Sequence, residues 1–250
     1  MKKLLLILFC FLIISGCNRK PADIGDLDVS FYETYDNNEL FQGLEQANIF
    51  LKEILSENET DSALRGLSFE EFESENPLYA LLYPNVNQQS GQLNSGPVLG
   101  SCNIKDTAAL NAYLNDDTIK KFFPADIKFA YTVKSYNTDV KFIQLVALKL
   151  NNRNSNQVDS CIIKKVKQNV DPSKFSADLS ITLDSHGAKQ LQIFTAKNIG
   201  KSVAIVLDGS VYSYYPIIQA EIEGKFQITG NLEEAKDIAK RINGRNVYFF

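Results

Sequence analysis

The 250-residue sequence has no tryptophan, one methionine and one histidine, His186, so chemistry that depends on paired imidazoles has no second ring to draw on. A lone histidine just inside a helix start, with no cue for a nucleophile beside it, is read as a surface or capping residue. With so few histidines and cysteines, a dedicated zinc site is not expected. Asp23, Asp26 and Asp28 lack the glycine and distal glutamate of a calcium loop. No cofactor and no enzymatic activity are predicted. Large charge of either sign is also absent, with 26 Lys+Arg against 30 Asp+Glu. That balance argues against nucleic-acid binding.

Long apolar runs are scarce too. The main one, Leu4 to Ile14, follows Lys2 and Lys3 and ends at Ile14-Ser15-Gly16-Cys17. It is shorter than the roughly 20 residues a spanning helix needs. Small residues before a cysteine fit a processing site, so residues 1–16 read as a lipoprotein signal peptide with Cys17 as the lipidated residue. Diacylglycerol on the sulfur and an amide-linked acyl (palmitate-type) chain give stable membrane attachment at about 0.8 kcal/mol per buried methylene. Removing two lysines and no acids leaves 24 basic against 30 acidic residues. The expected location is the bacterial cell envelope, lipid-anchored and facing the periplasm, with inner and outer membrane both open. The sequence after Cys17 has four features of organisation: a tether over 17–30, an N-terminal part over 31–135, a C-terminal part over 136–250, and enough apolar residues for a core in one domain or two closely packed subdomains.

Cys10 leaves with the signal, so Cys102 and Cys161 remain as thiols. In an oxidising compartment an even count favours a disulfide, closing a loop of about 60 residues; two separate buried thiols are the other reading.

Leu40, Leu44, Ala47, Leu51, Ile54 and Leu55 recur at helical spacing, with Asp36 to Asn38 as capping oxygens. A short helix is expected around 69–82, an exposed loop over 85–97, and a helix from Thr107 to Asn115 capped by Asp106. Ile127 to Val133, Lys141 to Leu150 and Cys161 to Val166 read as a meander. Leu179, Ile181 and Leu183 alternate as a strand; Asp184 starts a helix that Gly200 stops. Val203 to Leu207 is a β-branched run suited to a central strand, and Asp208-Gly209 is the strongest hairpin signal. Strands are also expected at Ile217 to Ile222, Phe226 to Thr229 and Val247 to Phe250, with a helix capped by Asn231 between the last two. Strands with segregated helices make an α+β fold with a mixed or antiparallel sheet. Gly200-Lys201-Ser202 looks like the end of a phosphate loop but lacks its first glycine and follows a helix, so it is a helix stop.

One ordered series stands out: Gly187-Ala188, Thr195, Asn198-Ile-Gly200-Lys201, Leu207-Asp208, Ser213 and Pro216, Ile222-Glu-Gly224, Ile228-Thr-Gly230 and Glu234-Ala235. It resembles the first periplasmic domain of SecD and SecDF, the auxiliary protein-export subunits, including the head subdomain. Gly96 to Gly100, Lys105-Asp-Thr107, Tyr113-Leu114, Phe123 to Phe129 and Glu33-Thr-Tyr35 extend the resemblance upstream. Tyr214-Tyr215 before Pro216 is one residue longer than the usual spacing. The resemblance implies a SecD-like fold and a noncatalytic role: binding exported polypeptides or Sec translocon subunits to assist translocation. Proton-driven work in that family depends on transmembrane groups that this sequence does not contain. The exposed edge around Tyr212, Tyr214 and Tyr215 is the candidate polypeptide-binding site, by strand addition; sheet packing is the plain alternative for these tyrosines. A structural or assembly lipoprotein that binds a dedicated envelope partner is the second functional reading. No nucleic acid and no small-molecule substrate are predicted.

Overall fold

In a computed structural model the described residues are 29–58, 75–133, 141–150, 157–161, 163–171, 176–207, 209–231 and 235–236. The expected signal peptide, Cys17, the tether up to residue 28 and the strand expected at 247–250 lie outside them; of the helix expected after Asn231 only Ala235 and Lys236 are described, and both are helical.

Eleven strands and four helices are described. In chain order they are β1 Val29–Glu33, α1 Asn37–Asn58, α2 Pro77–Leu81, β2 Leu82–Pro84, β3 Val98–Asn103, α3 Thr107–Asn115, β4 Ile127–Tyr131, β5 Phe142–Lys149, β6 Gln157–Cys161, β7 Ile163–Asp171, β8 Ser176–Leu183, α4 Ser185–Lys197, β9 Val203–Leu207, β10 Ser210–Tyr215 and β11 Lys225–Asn231. They form three sheets, ordered β10-β9-β1-β6 (sheet I), β2-β3-β5-β4 (sheet II) and β11-β8-β7 (sheet III). Every pairing between these strands is antiparallel. The fold is α+β, as the sequence pattern implies.

Alternation along single strands builds the layers, because successive side chains point to opposite faces. On β9, Val203, Ile205 and Leu207 enter one core while Ala204 and Val206 enter another. On β5, Leu145 and Ala147 face α1, α2 and α3, while Val146 and Leu148 face sheet I. The stacking order is therefore helices, sheet II, sheet I, then sheet III with α4. Both β9 and β5 are buried on both faces, which is why they read as near-continuous apolar runs.

Local chemistry sets the helix ends. Asp36 accepts from the Asn38 amide at 2.9 Å, and Glu39 accepts from the Asp36 amide at 2.7 Å, the reciprocal pair of a capping box at the start of α1. Asp184 caps α4 by accepting from the Gly187 amide at 2.8 Å. Asp106 makes no side-chain cap on α3; Asn103 instead accepts from Lys105 and holds a 3-10 turn in front of it.

The expected meander stops after two strands. β4 and β5 pair as anticipated, but β6 pairs with β1 and β7 pairs with β8, so the third segment splits between sheets I and III. Pairing also crosses the sequence boundary drawn at residue 135: β1 sits between β9 and β6, and β5 between β3 and β4. Residues 217–222 form no strand; only Ile218 makes an isolated parallel bridge, to Ile199. The helix expected over 69–82 is described from Pro77 to Leu81 and gives way to β2.

Candidate polypeptide-binding edge

β10 is the outermost strand of sheet I, held on one side by β9 through the hairpin that Gly209 turns at φ 77°. On its outer side the Val133 amide donates to the Val211 carbonyl at 3.0 Å, and Thr132 bridges Val211 in parallel. Beyond Val211 no strand among the described residues pairs with that outer side. A bulge between Val211 and Ser213 inserts one extra residue, and from Ser213 to Tyr215 the pairing with β9 is regular again.

The three tyrosines pack into the sheets, the plain alternative weighed for them. Tyr212, Tyr214 and Tyr215 are all half-buried: Tyr212 and Tyr215 pack on the core between sheets I and III, and Tyr214 on the core between sheets I and II. Burial raises the Tyr215 pKa, against a hydrogen bond from the Gln227 backbone that ties its phenol to β11. The tyrosines thus anchor β10, and the open feature is its backbone between residues 213 and 215.

The motif residues turn out to be close-packing and positioning devices. A Cβ at Gly224, whose φ is 74°, would lie 2.3 Å from the Ala188 Cβ, so the Ile222-Glu-Gly224 turn and the Gly187-Ala188 helix start require each other. A Cβ at Gly187 would meet Cys161 and Asp184 at 3.1–3.3 Å. Thr195 Oγ1 accepts from the Ile222 amide at 2.8 Å and donates to the Leu191 carbonyl at 2.8 Å. Asn198 Nδ2 donates to the Phe194 carbonyl at 2.8 Å. Ser202 Oγ donates to the Tyr215 carbonyl at 2.9 Å, fixing the C-terminal end of the candidate edge.

Two more quoted motifs meet at a buried charge. The Glu33 carboxylate, 5 % exposed, accepts from Lys149 at 2.9 Å and from Lys201 at 3.1 Å. Lys149 also lies 4.6 Å from the Tyr35 ring centroid, and Tyr35 donates to Asp126 at 2.5 Å. Burial, with Asp126 beside it, raises the Tyr35 pKa. Lys149 comes from sheet II and Lys201 from the turn before β9, so one carboxylate joins two layers. Glu33 and Lys201 both stand in the motifs; that they form a pair is visible only in three dimensions.

Cys102 and Cys161 do not form the disulfide weighed from the sequence. Both are buried thiols, Cys102 in the core under α1 and α3 and Cys161 in the core of sheets I and III. Sheet II's backbone separates the first from the second, and burial pushes the Cys102 thiol up to about 11. His186 is exposed in the first turn of α4. Among the described residues no group of three His, Cys, Asp or Glu is placed to hold a metal, and no helix is long and apolar enough to cross a membrane.

Residues 146–245 match the family described as SecDF, P1 head subdomain. The chain is similar to protein translocase subunit SecD of Rhodothermus marinus, 32% identical over 166 residues, covering 65% of this chain and 25% of the relative. Similarity to SecDF of Thermus thermophilus reaches 46% over 63 residues, 24% of this chain and 9% of the relative. Among solved structures, one of "a membrane component SecDF that enhances protein export" aligns over 90% of this chain and 100% of its own, at 18% identity and a TM-score of 0.31. That score is too low to carry an argument about the fold. The chain spans about a quarter of the length of the first SecD relatives it matches. The stretch where the motif glycines interlock lies within the 146–245 match to the SecDF P1 head subdomain, and with the SecD relatives this makes the chain similar to a periplasmic domain of SecD and SecDF.

Proposed function

We propose that the protein is a membrane lipoprotein, anchored through Cys17 and facing the periplasm, whose SecD-like domain binds exported polypeptides or translocon subunits and so assists protein translocation. The observation that carries this reading is the match of residues 146–245 to the SecDF P1 head subdomain. The outer side of β10 supports it: a strand held from below by β9, with its 213–215 backbone facing no described strand, can add an extended segment by backbone hydrogen bonds. Such binding tolerates many sequences, as a binder of diverse exported chains requires. The role is noncatalytic and uses no cofactor.

In-cell photo-crosslinking from position 213, with the captured proteins identified, tests the reading. Translocon subunits together with many unrelated exported chains are the expected catch. One recurrent envelope protein without translocon subunits would overturn the export role in favour of a dedicated structural or assembly partner. Metabolic labelling with palmitate tests the anchor separately: label is expected on the wild type and lost in Cys17→Ala.

A further inference from the structure

Sheet III has two unlike faces. Leu179, Ile181 and Leu183 of β8 and Phe226 and Ile228 of β11 are buried against sheet I. The opposite face is set by the register. Thr182 of β8 lies between Lys165 of β7 and Lys225 of β11, and in the next row Ser180 lies between Lys167 and Gln227. Paired residues in an antiparallel sheet share a face. Lys165, Lys167, Lys225 and Gln227 are exposed, with Ser180 and Thr182 half-buried between them. The third row holds an acid, Asp178, whose carboxylate accepts from Thr229 at 2.7 Å, and the fourth pairs Asp171 with Ser176; Glu223 lies exposed at the turn before Lys225.

Two of these rows thus carry three lysines and two hydroxyls in a protein whose formal net charge is −4. Strand spacing puts the Lys165 and Lys225 backbones about 10 Å apart with Thr182 midway, so two ammonium groups flank a hydroxyl donor. That donor set matches a phosphate oxyanion. Three features favour a planar array of such anions over an acidic polypeptide. The central strand β8 is paired on both sides, leaving no backbone for strand addition. The two lysine rows hold no apolar side chain that could anchor a peptide. The lysines are spread over two rows instead of converging on one point.

We infer that the outer face of sheet III is a docking surface for the phosphate headgroups of an anionic lipid bilayer, with Lys165, Lys167 and Lys225 as its contacts and Thr182 and Ser180 as supporting donors. The inference stands apart from the export reading and from the Cys17 anchor. Each lysine brought to an anionic surface strengthens attachment about fivefold, so three together give roughly a hundredfold. Salt weakens the contact because the lysines remain near water.

The test is lysine acetylation footprinting of the full chain on vesicles of phosphatidylcholine alone or mixed with phosphatidylglycerol. The expected result is that Lys165, Lys167 and Lys225 lose about tenfold in reactivity only where phosphatidylglycerol is present, and regain it in high salt. An exposed lysine on another sheet, Lys128, keeps its reactivity in both. In a parallel flotation assay the triple variant Lys165→Gln, Lys167→Gln, Lys225→Gln should lose the preference for phosphatidylglycerol while melting like the wild type. The anchor does not confound the outcome, since it is common to both vesicle types. Equal reactivity on the two vesicle types, or a triple variant that keeps the preference, overturns the inference. Equal protection by inorganic phosphate on neutral vesicles would reassign the face to a small free anion, and protection by polyglutamate alone would reassign it to an acidic polypeptide.

Discussion

β10 and β7 are both outermost strands of antiparallel sheets, and they meet the danger of an open edge in opposite ways. β7 carries Lys164, Lys165 and Lys167, all exposed, a composition that keeps other strands from adding to it. β10 carries tyrosines turned into the cores on either side and leaves its 213–215 backbone unprotected by charge. An edge that is not defended by lysine, proline or a covering strand is a place where a partner strand can add. The comparison explains why binding is assigned to one edge and surface attachment to the other sheet.

The comparison rests on both edges standing on one core. Ile205 of β9 and Ile181 of β8 are fully buried in it. Ile205→Ala and Ile181→Ala should each cost about 2–5 kcal/mol, read as a lower urea midpoint at unchanged slope. If one costs little and the other much, the two edges are supported independently and the contrast loses its common basis.

The next effect separates the edges. Glu33→Ala leaves Lys149 largely buried without its nearest carboxylate beneath sheet I, at a cost of about 3 kcal/mol. Lys201→Ala, at a half-exposed lysine, should cost under about 1 kcal/mol. Equal losses in chemical denaturation would show that Lys201 matters as much as the buried partner.

Smaller still is the phenol of Tyr215. Tyr215→Phe removes the group that the Gln227 backbone bonds and should cost about 1 kcal/mol. Crosslinking from position 213 should stay near the wild-type level in Tyr214→Phe and fall in the double variant Tyr214→Ser, Tyr215→Ser, because the edge then loses its anchors. Unchanged capture by the double variant would remove this edge as the site.

The smallest stability change belongs to β7. Lys165→Val with Lys167→Val should shift the melt by less than about 0.5 kcal/mol, since both side chains are exposed. Its effect is expected in association instead, as concentration-dependent oligomers in sedimentation, because the charge that blunts the edge is gone. A strictly unchanged oligomeric state would mean that the lysines are not what protects β7.

Much of the fold is legible from residues that act locally. Asp36 and Glu39 cap α1, Asp184 caps α4, Gly200 takes φ 83° after it, and Gly209 turns the hairpin, all through interactions a few residues apart. The motif series is legible as a series because each small or polar residue answers another: Gly224 answers Ala188, and Thr195 answers Ile222. What the pattern could not convey is partner choice between distant strands. Nothing in Val29–Glu33 says that it pairs with β9 and β6, and β6 and β7 read as one segment because β6 ends at Cys161 and β7 begins at Ile163, with no turn residue between them in the sequence. Residues 217–222 misled for another reason: alternating apolar residues are consistent with a strand, yet Ile218 and Ile222 are drawn into the core by α4, through the Ile199 bridge and Thr195, and not by a ladder. At the candidate site the tyrosines were visible, but not which way each would turn, since a bulge resets the alternation.

The seat of β1 has a consequence for the order of assembly. Val29 pairs with Leu207 and Glu33 with Val203, so the central position of sheet I is filled from one end of the described chain and bordered from near the other. Closing so long a loop comes before any pairing rewards it, which places sheet I among slowly forming, non-local structures. While a chain emerges from its N-terminal side, β1 waits without its β9 neighbour until residues 203–207 follow, and β10, which depends on β9, forms after both. During that interval this domain is itself an extended polypeptide with an unpaired strand, the same kind of object that its own finished edge is proposed to hold.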